Sequence, residues 1–226
     1  MFFPRNYCLI FELHSSVFSH LFHYNYHMRT KLTEEIRQYK PYNEQEAKDQ
    51  SLLLDLLGQV PDLFYRTNLS NHMTASAWVV NPSFTHILMA YHRIYDSWAW
   101  LGGHADGEED LLKVAIREVQ EESGIHQVVP VLTDLFSLEI LTVDGHEKNG
   151  SYVPSHLHLN ITYLLMADDK ETPHSKPDEN KAVAWFPIET VIEQSSEPWF
   201  RERIYSKLNK KLLSMRPMLK PLKASQ

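Results

Sequence analysis

The sequence predicts an α+β chain, in which a helical segment is followed by one domain of irregularly alternating strands and helices. Three observations carry that prediction. Residues 29–40 and 44–58 read as two helices, the second with Leu52, Leu53, Leu56 and Leu57 at i, i+1, i+4, i+5 and with Gly58 and Pro61 to end it. HMTASAWVVN (72–81) and THILMAYHR (85–93) flank the turn residues Pro82-Ser83 and read as a hairpin. Residues 109–123 carry a helical period between two strand-rich stretches. The leucine stripe either packs on its own domain or makes a homodimer contact.

The remaining elements follow in order. A loop with Trp98 and Trp100 leads to Gly102-Gly103. Residues 128–143 read as one long or two short strands, and 144–154 as a polar loop. HLHLNITYLLMA (156–167) alternates as a strand, a polar loop covers 168–180, and AVAWFP (182–187) is a short strand. Residues 188–194 and 198–215 are helical, the last helix with Phe200, Ile204, Leu208 and Leu212 at four-residue spacing. No internal repeat is present. The expected organisation is an extension at 1–27, a helical segment at 28–60, the main domain at 61–216 and a frayed tail at 217–226.

Composition narrows the class. Among 226 residues, 22 are Lys or Arg and 29 are Asp or Glu, a net charge of −7. That balance opposes a protein built to grip a phosphate backbone. With 43% apolar and 23% charged residues, the chain has the means to bury a core. Cys8 is the one cysteine, which excludes internal disulfides and multi-cysteine zinc sites and points to a reducing, cytoplasmic setting. No apolar run approaches the roughly 20 residues that span a bilayer. Residues 1–27 differ from the rest: they hold five of ten Phe and four of thirteen His, and no Gly, Ala or Thr. Glu12, His14, Ser15 and Ser16 interrupt any signal-peptide core. This stretch reads as an upstream extension with Met28 as the true start, or else as an unusual targeting arm.

The chemistry lies in residues 103–125, GHADGEEDLLKVAIREVQEESGI. They fit G-x5-E-x7-R-E-U-x-E-E-x-G-U, where U is aliphatic, through Gly103, Glu109, Arg117, Glu118, Val119, Glu121, Glu122, Gly124 and Ile125. A chance match in a chain this long has a probability on the order of 10⁻⁷ from average residue usage. At about 100° per residue, Glu118, Glu121 and Glu122 share one arc of roughly 100°. Leu112, Ala115, Ile116 and Val119 occupy the adjoining arc, so the apolar face is expected to dock on a sheet with the carboxylates along its edge. Like charges at i, i+3 and i, i+4 each cost roughly a few tenths of a kcal/mol. A hard divalent cation, which takes carboxylate oxygens, would offset that repulsion. Gly102-Gly103 permits close backbone approach, Asp106-Gly107 is a turn signal, and Glu108, Glu109 and Asp110 suit a helix N-terminus.

This pattern resembles the Nudix box, and the resemblance to Nudix hydrolases extends over about 70–195. It implies a Nudix α/β/α sandwich with a mixed β-sheet and Mg²⁺-dependent (or Mn²⁺-dependent) cleavage of a diphosphate linked to another group. It further implies Glu118, Glu121, Glu122 and the Gly102 carbonyl as metal ligands, with Glu121 a ligand or the base, and an Arg117–Glu109 pair that orients the glutamates. Glu179, in the loop before the short strand, is another base or ligand of the kind some such enzymes use, or else a solvent-facing acid. Two departures touch the loop geometry: Leu101 stands where Pro often precedes the Gly-Gly, and Glu108 where Gly often precedes the first box glutamate.

The substrate implied is a small nucleoside diphosphate derivative or a nucleoside triphosphate. Position 140 is Ile, with no proline near it of the sort expected of ADP-ribose enzymes. A prenyl-diphosphate isomerase would need a cysteine within the fold. His104 is a candidate phosphate contact, and Trp98, with Trp100, a candidate base-stacking surface or core residue. His156 and His158 share a strand face, and His92 ends the hairpin. Two other functions remain open: a catalytically silent Nudix binding module, and an RNA-end pyrophosphohydrolase using Lys207, Lys210, Lys211, Arg216, Lys220 and Lys223.

Overall fold

The computed structural model describes residues 28–148 and 150–219, so the expectations for residues 1–27 and 220–226 lie outside it. Two helices come first, α1 (28–38) and α2 (Glu44–Gln59). Asn43 caps α2 by accepting from the Glu46 amide. The hairpin forms as expected: β1 (Asn71–Val80) and β2 (His86–His92) pair antiparallel, with Val79 opposite Leu88.

The expected tryptophan loop is instead two short strands, β3 (Ser97–Ala99) on β2 and β4 (Leu101–His104) on β1. Helix α3 (Leu111–Ser123) follows, capped by Asp110 and ended by Gly124 at φ 70°. Residues 128–143 divide into β5 (Val128–Pro130) and β6 (Ser137–Val143). The expected polar loop at 144–154 contains a small ribbon, β7 (His146–Lys148) with β8 (Ser151–Val153). Strands β9 (His156–Ala167) and β10 (Asn180–Pro187) complete the sheet. A short α4 (Val191–Gln194) precedes a π-helical turn (Phe200–Tyr205) that runs into α5 (Ser206–Met215).

Eight strands form one mixed sheet with the central path β10-β2-β1-β9-β5, in which β1 and β9 are parallel. Alternation in β1 explains the layers. Met73, Ala75, Ala77 and Val79 face a core built with Leu32 and Ile36 of α1, Leu53 and Leu57 of α2, and Val114, Ala115 and Val119 of α3. Trp78 and Val80 face the opposite core, filled by Ile204, Tyr205, Leu208 and Leu212. The result is an α/β/α sandwich with a mixed β-sheet and helices preceding it, as the resemblance implies. Leu53 and Leu57 are buried in their own domain, so much of the leucine stripe serves internal packing.

The apolar arc of α3 is rotated from the expected one. Leu111, Val114, Ala115 and Val119 are buried, whereas Leu112 and Ile116 pack at the margin. Glu118 and Glu122 therefore fall within the buried arc, not along its edge. They fit there because the sheet presents glycines, not side chains, to that end of the helix.

At the β6 edge, four charges bind the N-terminal helices to α5. Lys207 Nζ lies 3.0 Å from Glu46 and 2.9 Å from Glu139, and Lys211 3.4 Å from Glu46. Burial raises the pKa of Glu46, but the ammonium groups of Lys207 and Lys211 outweigh it and hold the carboxyl below its ordinary value.

Candidate active site

On β1 and β9 the even-numbered positions change character midway. Trp78, Val80, Leu164 and Met166 are apolar and lie under α5. Upstream of them stand His72, Thr74 and Ser76 on β1 and His156, His158 and Asn160 on β9, which form a polar floor. Among the described residues no helix covers this half of the face, and a cleft of about 830 Å³ opens there. Asn160 ties the floor together: its Oδ1 accepts from Thr74 (3.0 Å) and Ser76 (2.8 Å), and its Nδ2 donates to Glu139 (3.1 Å).

Strand β4 brings the glycines to this floor, with Gly102 opposite Ser76 and Gly103 opposite Ala75. The missing side chains leave room for carboxylates. A Cβ on Gly103 would lie 2.5 Å from both Cδ and Oε2 of Glu118. The Gly102 amide donates to Glu122 Oε2 at 3.0 Å. Glu121 and Glu179 line the same cleft, joined by Lys176 at 3.2 and 3.0 Å. The fold thus brings together four acids from two elements, as well as His104 and Trp100.

Burial sets the electrostatics. It pushes Glu122 up to about 8, against the Gly102 hydrogen bond, with the Glu118 and Glu179 charges adding to the rise. Burial also raises Glu118, while Arg117 opposes it. A buried acid, Glu122, and a half-buried one, Glu118, beside a glycine-lined gap, with two more at its rim, match the donor set of a hard divalent cation. A cation there would reverse the local preference for the protonated forms. Burial likewise holds His104 down to about 3, so its ring is neutral at physiological pH.

Two expectations are corrected. Arg117 does not reach Glu109. Its Nη2 donates to Glu118 at 2.8 Å and to the His104 carbonyl at 3.2 Å, and Nε lies 3.8 Å from Glu121. Glu109 instead accepts from the Arg29 amide at 3.0 Å, because α1 packs against the start of α3. Trp98 is not in the cleft. It packs edge-on against Tyr91 and Phe186, with centroids at 5.4 and 4.8 Å, leaving Trp100 beside the cleft with Phe200 and Tyr205. The sequence reading also missed the grouping of His72 with His104, His156 and His158. The signal was there: histidines at alternate positions of β9, and one at an end of each of β1 and β4.

Comparison with known proteins gives the family. The family model for the NUDIX domain matches residues 70–208, and the chain belongs to the Nudix family. That membership makes it a pyrophosphohydrolase of the Nudix type, a class that generally employs divalent metals. Similar solved structures include an Ap4A hydrolase binary complex from C. elegans, at 17% identity and TM-score 0.45, covering 65% of this chain and 98% of that one. A NUDIX-family hydrolase from Clostridium perfringens matches at 19% identity and TM-score 0.44, covering 64% and 97%. A MutT protein from Methanosarcina mazei Go1 matches at 18% identity and TM-score 0.45, covering 62% and 93%. A comparison with curated proteins found no match. No helix among the described residues is long and apolar enough to cross a membrane.

Proposed function

We propose that this chain hydrolyses the diphosphate linkage of a small nucleoside diphosphate derivative or a nucleoside triphosphate, with Mg²⁺ held by Glu118, Glu121, Glu122 and the Gly102 carbonyl. The observation that carries the reading is the convergence of Glu118, Glu121, Glu122 and Glu179 on one glycine-lined cleft. When bound, Mg²⁺ supplies charge neutralisation on the phosphate oxygens and a more acidic water. The chain's own groups do the rest. Arg117 holds Glu118 in orientation through the 2.8 Å hydrogen bond, and the Gly102 amide fixes Glu122. Lys176 draws Glu121 and Glu179 together and keeps both near the cleft mouth, where either can accept the proton of the attacking water.

Beyond Ser76 the cleft is bounded by Trp100, Phe200 and Tyr205, whose rings contact one another at 5.7–6.2 Å. An aromatic wall beside a carboxylate cluster suits a ligand with a planar base and a phosphate chain. Of the cations that the RNA-end reading would use, Lys207 and Lys211 are engaged with Glu46 and Glu139, while Lys220 and Lys223 lie outside the described residues. The test is Mg²⁺-dependent phosphate release, coupled to a phosphatase, across nucleoside diphosphate sugars, dinucleotides and nucleoside triphosphates. Turnover of one class, abolished by chelator and in Glu121→Gln, is expected. Ligand-induced stabilisation without turnover of any compound would replace this reading with a silent binding module.

A further inference from the structure

The carboxylates explain one part of the cleft floor. Next to them lies a group of histidines that the proposed hydrolysis does not use. His72 is the second residue of β1 and stands opposite His158 in the parallel register with β9. His156 is two residues earlier on the same face of β9, and His104 ends β4 opposite Thr74. His72 has its ring centroid 5.0 Å from His104, 4.8 Å from His156 and 5.0 Å from His158.

The hydrogen bonds show which nitrogens are presented. A carbonyl oxygen can only accept, so a ring nitrogen bonded to one carries the proton. His72 Nδ1 donates to the Asn68 carbonyl at 3.0 Å, and His156 Nδ1 to the Pro154 carbonyl at 2.8 Å. With Nδ1 so engaged, both rings turn Nε2 towards the cluster: that of His72 is unpartnered, and that of His156 shares a hydrogen with His158 Nε2, which a bound cation would displace. Carbonyl partners on the far nitrogen are the usual orienting contacts of metal-bound imidazoles. His72 is 4% exposed, and its buried Nε2 has no hydrogen-bond partner. Such an orphan in a native interior calls for a ligand. His156 Nε2 and His158 Nε2 lie 3.1 Å apart. Two imidazoles on a tetrahedral zinc, at about 2.1 Å each, have nitrogens about 3.4 Å apart.

We propose that His72, His156 and His158 form a second cation site, distinct from the carboxylate site, for a zinc-class first-row transition ion. One ring nitrogen from each residue falls within 4.8 Å of the others. The widest separation would have to close by up to about 1.4 Å to reach the tetrahedral value. Imidazole ligands favour Zn²⁺, Co²⁺, Ni²⁺ and Cu²⁺ over Mg²⁺, so the two sites would sort ions by chemistry. Three histidines leave a coordination position open, and these three line the cleft. His104 is the side chain placed to supply a fourth imidazole.

The test uses the full chain, stripped with chelator and titrated with Co²⁺. One equivalent is expected to develop the visible d–d bands of a low-coordinate site, and Zn²⁺ to displace it. His72→Gln and His158→Gln should each weaken binding by roughly 100-fold or more, whereas Glu118→Gln combined with Glu122→Gln should leave the bands in place. Far-UV circular dichroism checks that the variants fold. A further measurement needs no change in the cluster: X-ray absorption of the zinc-loaded protein with His14, His20, His23 and His27 replaced by Gln. A shell with three or more imidazoles is expected. Bands unaffected by the cluster variants, bands lost only with the glutamates, an oxygen-only zinc shell, or no cobalt bands at all would overturn the proposal.

Discussion

Adding one methyl group at Gly103 separates the catalytic geometry from the fold. A Cβ there would sit 2.5 Å from Glu118 Cδ and Oε2, where ordinary contact begins near 3.4 Å, so the carboxylate must retreat by about 0.9 Å. All three nearest atoms belong to the far end of the Glu118 side chain, not to backbone, and the sheet need not move. Stability in urea should stay within about 1 kcal/mol of the parent. Turnover should not: a misplacement near 1 Å at a catalytic group costs on the order of 100-fold, equivalent to about 2.7 kcal/mol of transition-state free energy. Gly102→Ala is the control. Its Cβ would meet the Ala75 carbonyl at 2.5 Å and Ser76 Cα at 2.7 Å, both backbone atoms of the paired strand. That variant should lose stability outright, by about 1–3 kcal/mol or more. The assay is kcat on the substrate found in the panel, beside urea unfolding of both variants. Full turnover in Gly103→Ala, or equal loss of stability in the two, would refute the placement of Glu118 against Gly103.

The pH dependence of stability in chelator should carry the signature of Glu122. Its folded value near 8 lies above the ordinary carboxylate value of 4.5, so the folded state holds an extra proton between them. Stability attributable to this group is therefore full below pH 4.5 and falls as pH rises towards 8. Glu122→Gln should flatten that slope in thermal melts, and divalent cation should restore stability to the parent at pH 8. Lys207→Met removes a cation buried against Glu46 and Glu139, and should cost about 3–5 kcal/mol in denaturant titration. Because Glu46 is held below its ordinary value, its share of stability is lost as pH falls through that depressed value, and the Lys207→Met profile should lack this loss. Glu109→Ala removes the acceptor of the Arg29 amide and should lower the melting temperature while kcat stays close to the parent's.

What was legible in the sequence was local. The box reads cleanly because Glu118, Glu121 and Glu122 are placed by a single helix, and Gly102-Gly103 by the strand just before it. Strands β1, β2, β9 and β10 were legible because their pleat alternates against two cores. Strands β3 and β4 were each too short to show alternation, and the rotation of α3 depended on the glycines it faces. The Arg117–Glu109 pairing failed because α1, some 80 residues upstream, takes Glu109 for its own amide. Trp98 and Trp100 are two residues apart, yet only Trp100 reaches the cleft, since Trp98 is taken by Tyr91 and Phe186. The histidine group required the parallel β1–β9 register, which no local pattern specifies.

The ion network at the β6 edge bears on where this protein can be cut. The family match begins at residue 70, after both N-terminal helices. Those helices nevertheless supply Leu32, Ile36, Leu53 and Leu57 to the core and Glu46 to Lys207. A fragment trimmed to the matched span would leave a dry lysine with half its counter-charge and an apolar sheet face open to water. The matched span is thus shorter than the packed body, and an expression boundary drawn at residue 70 would sever a clasp between its two ends.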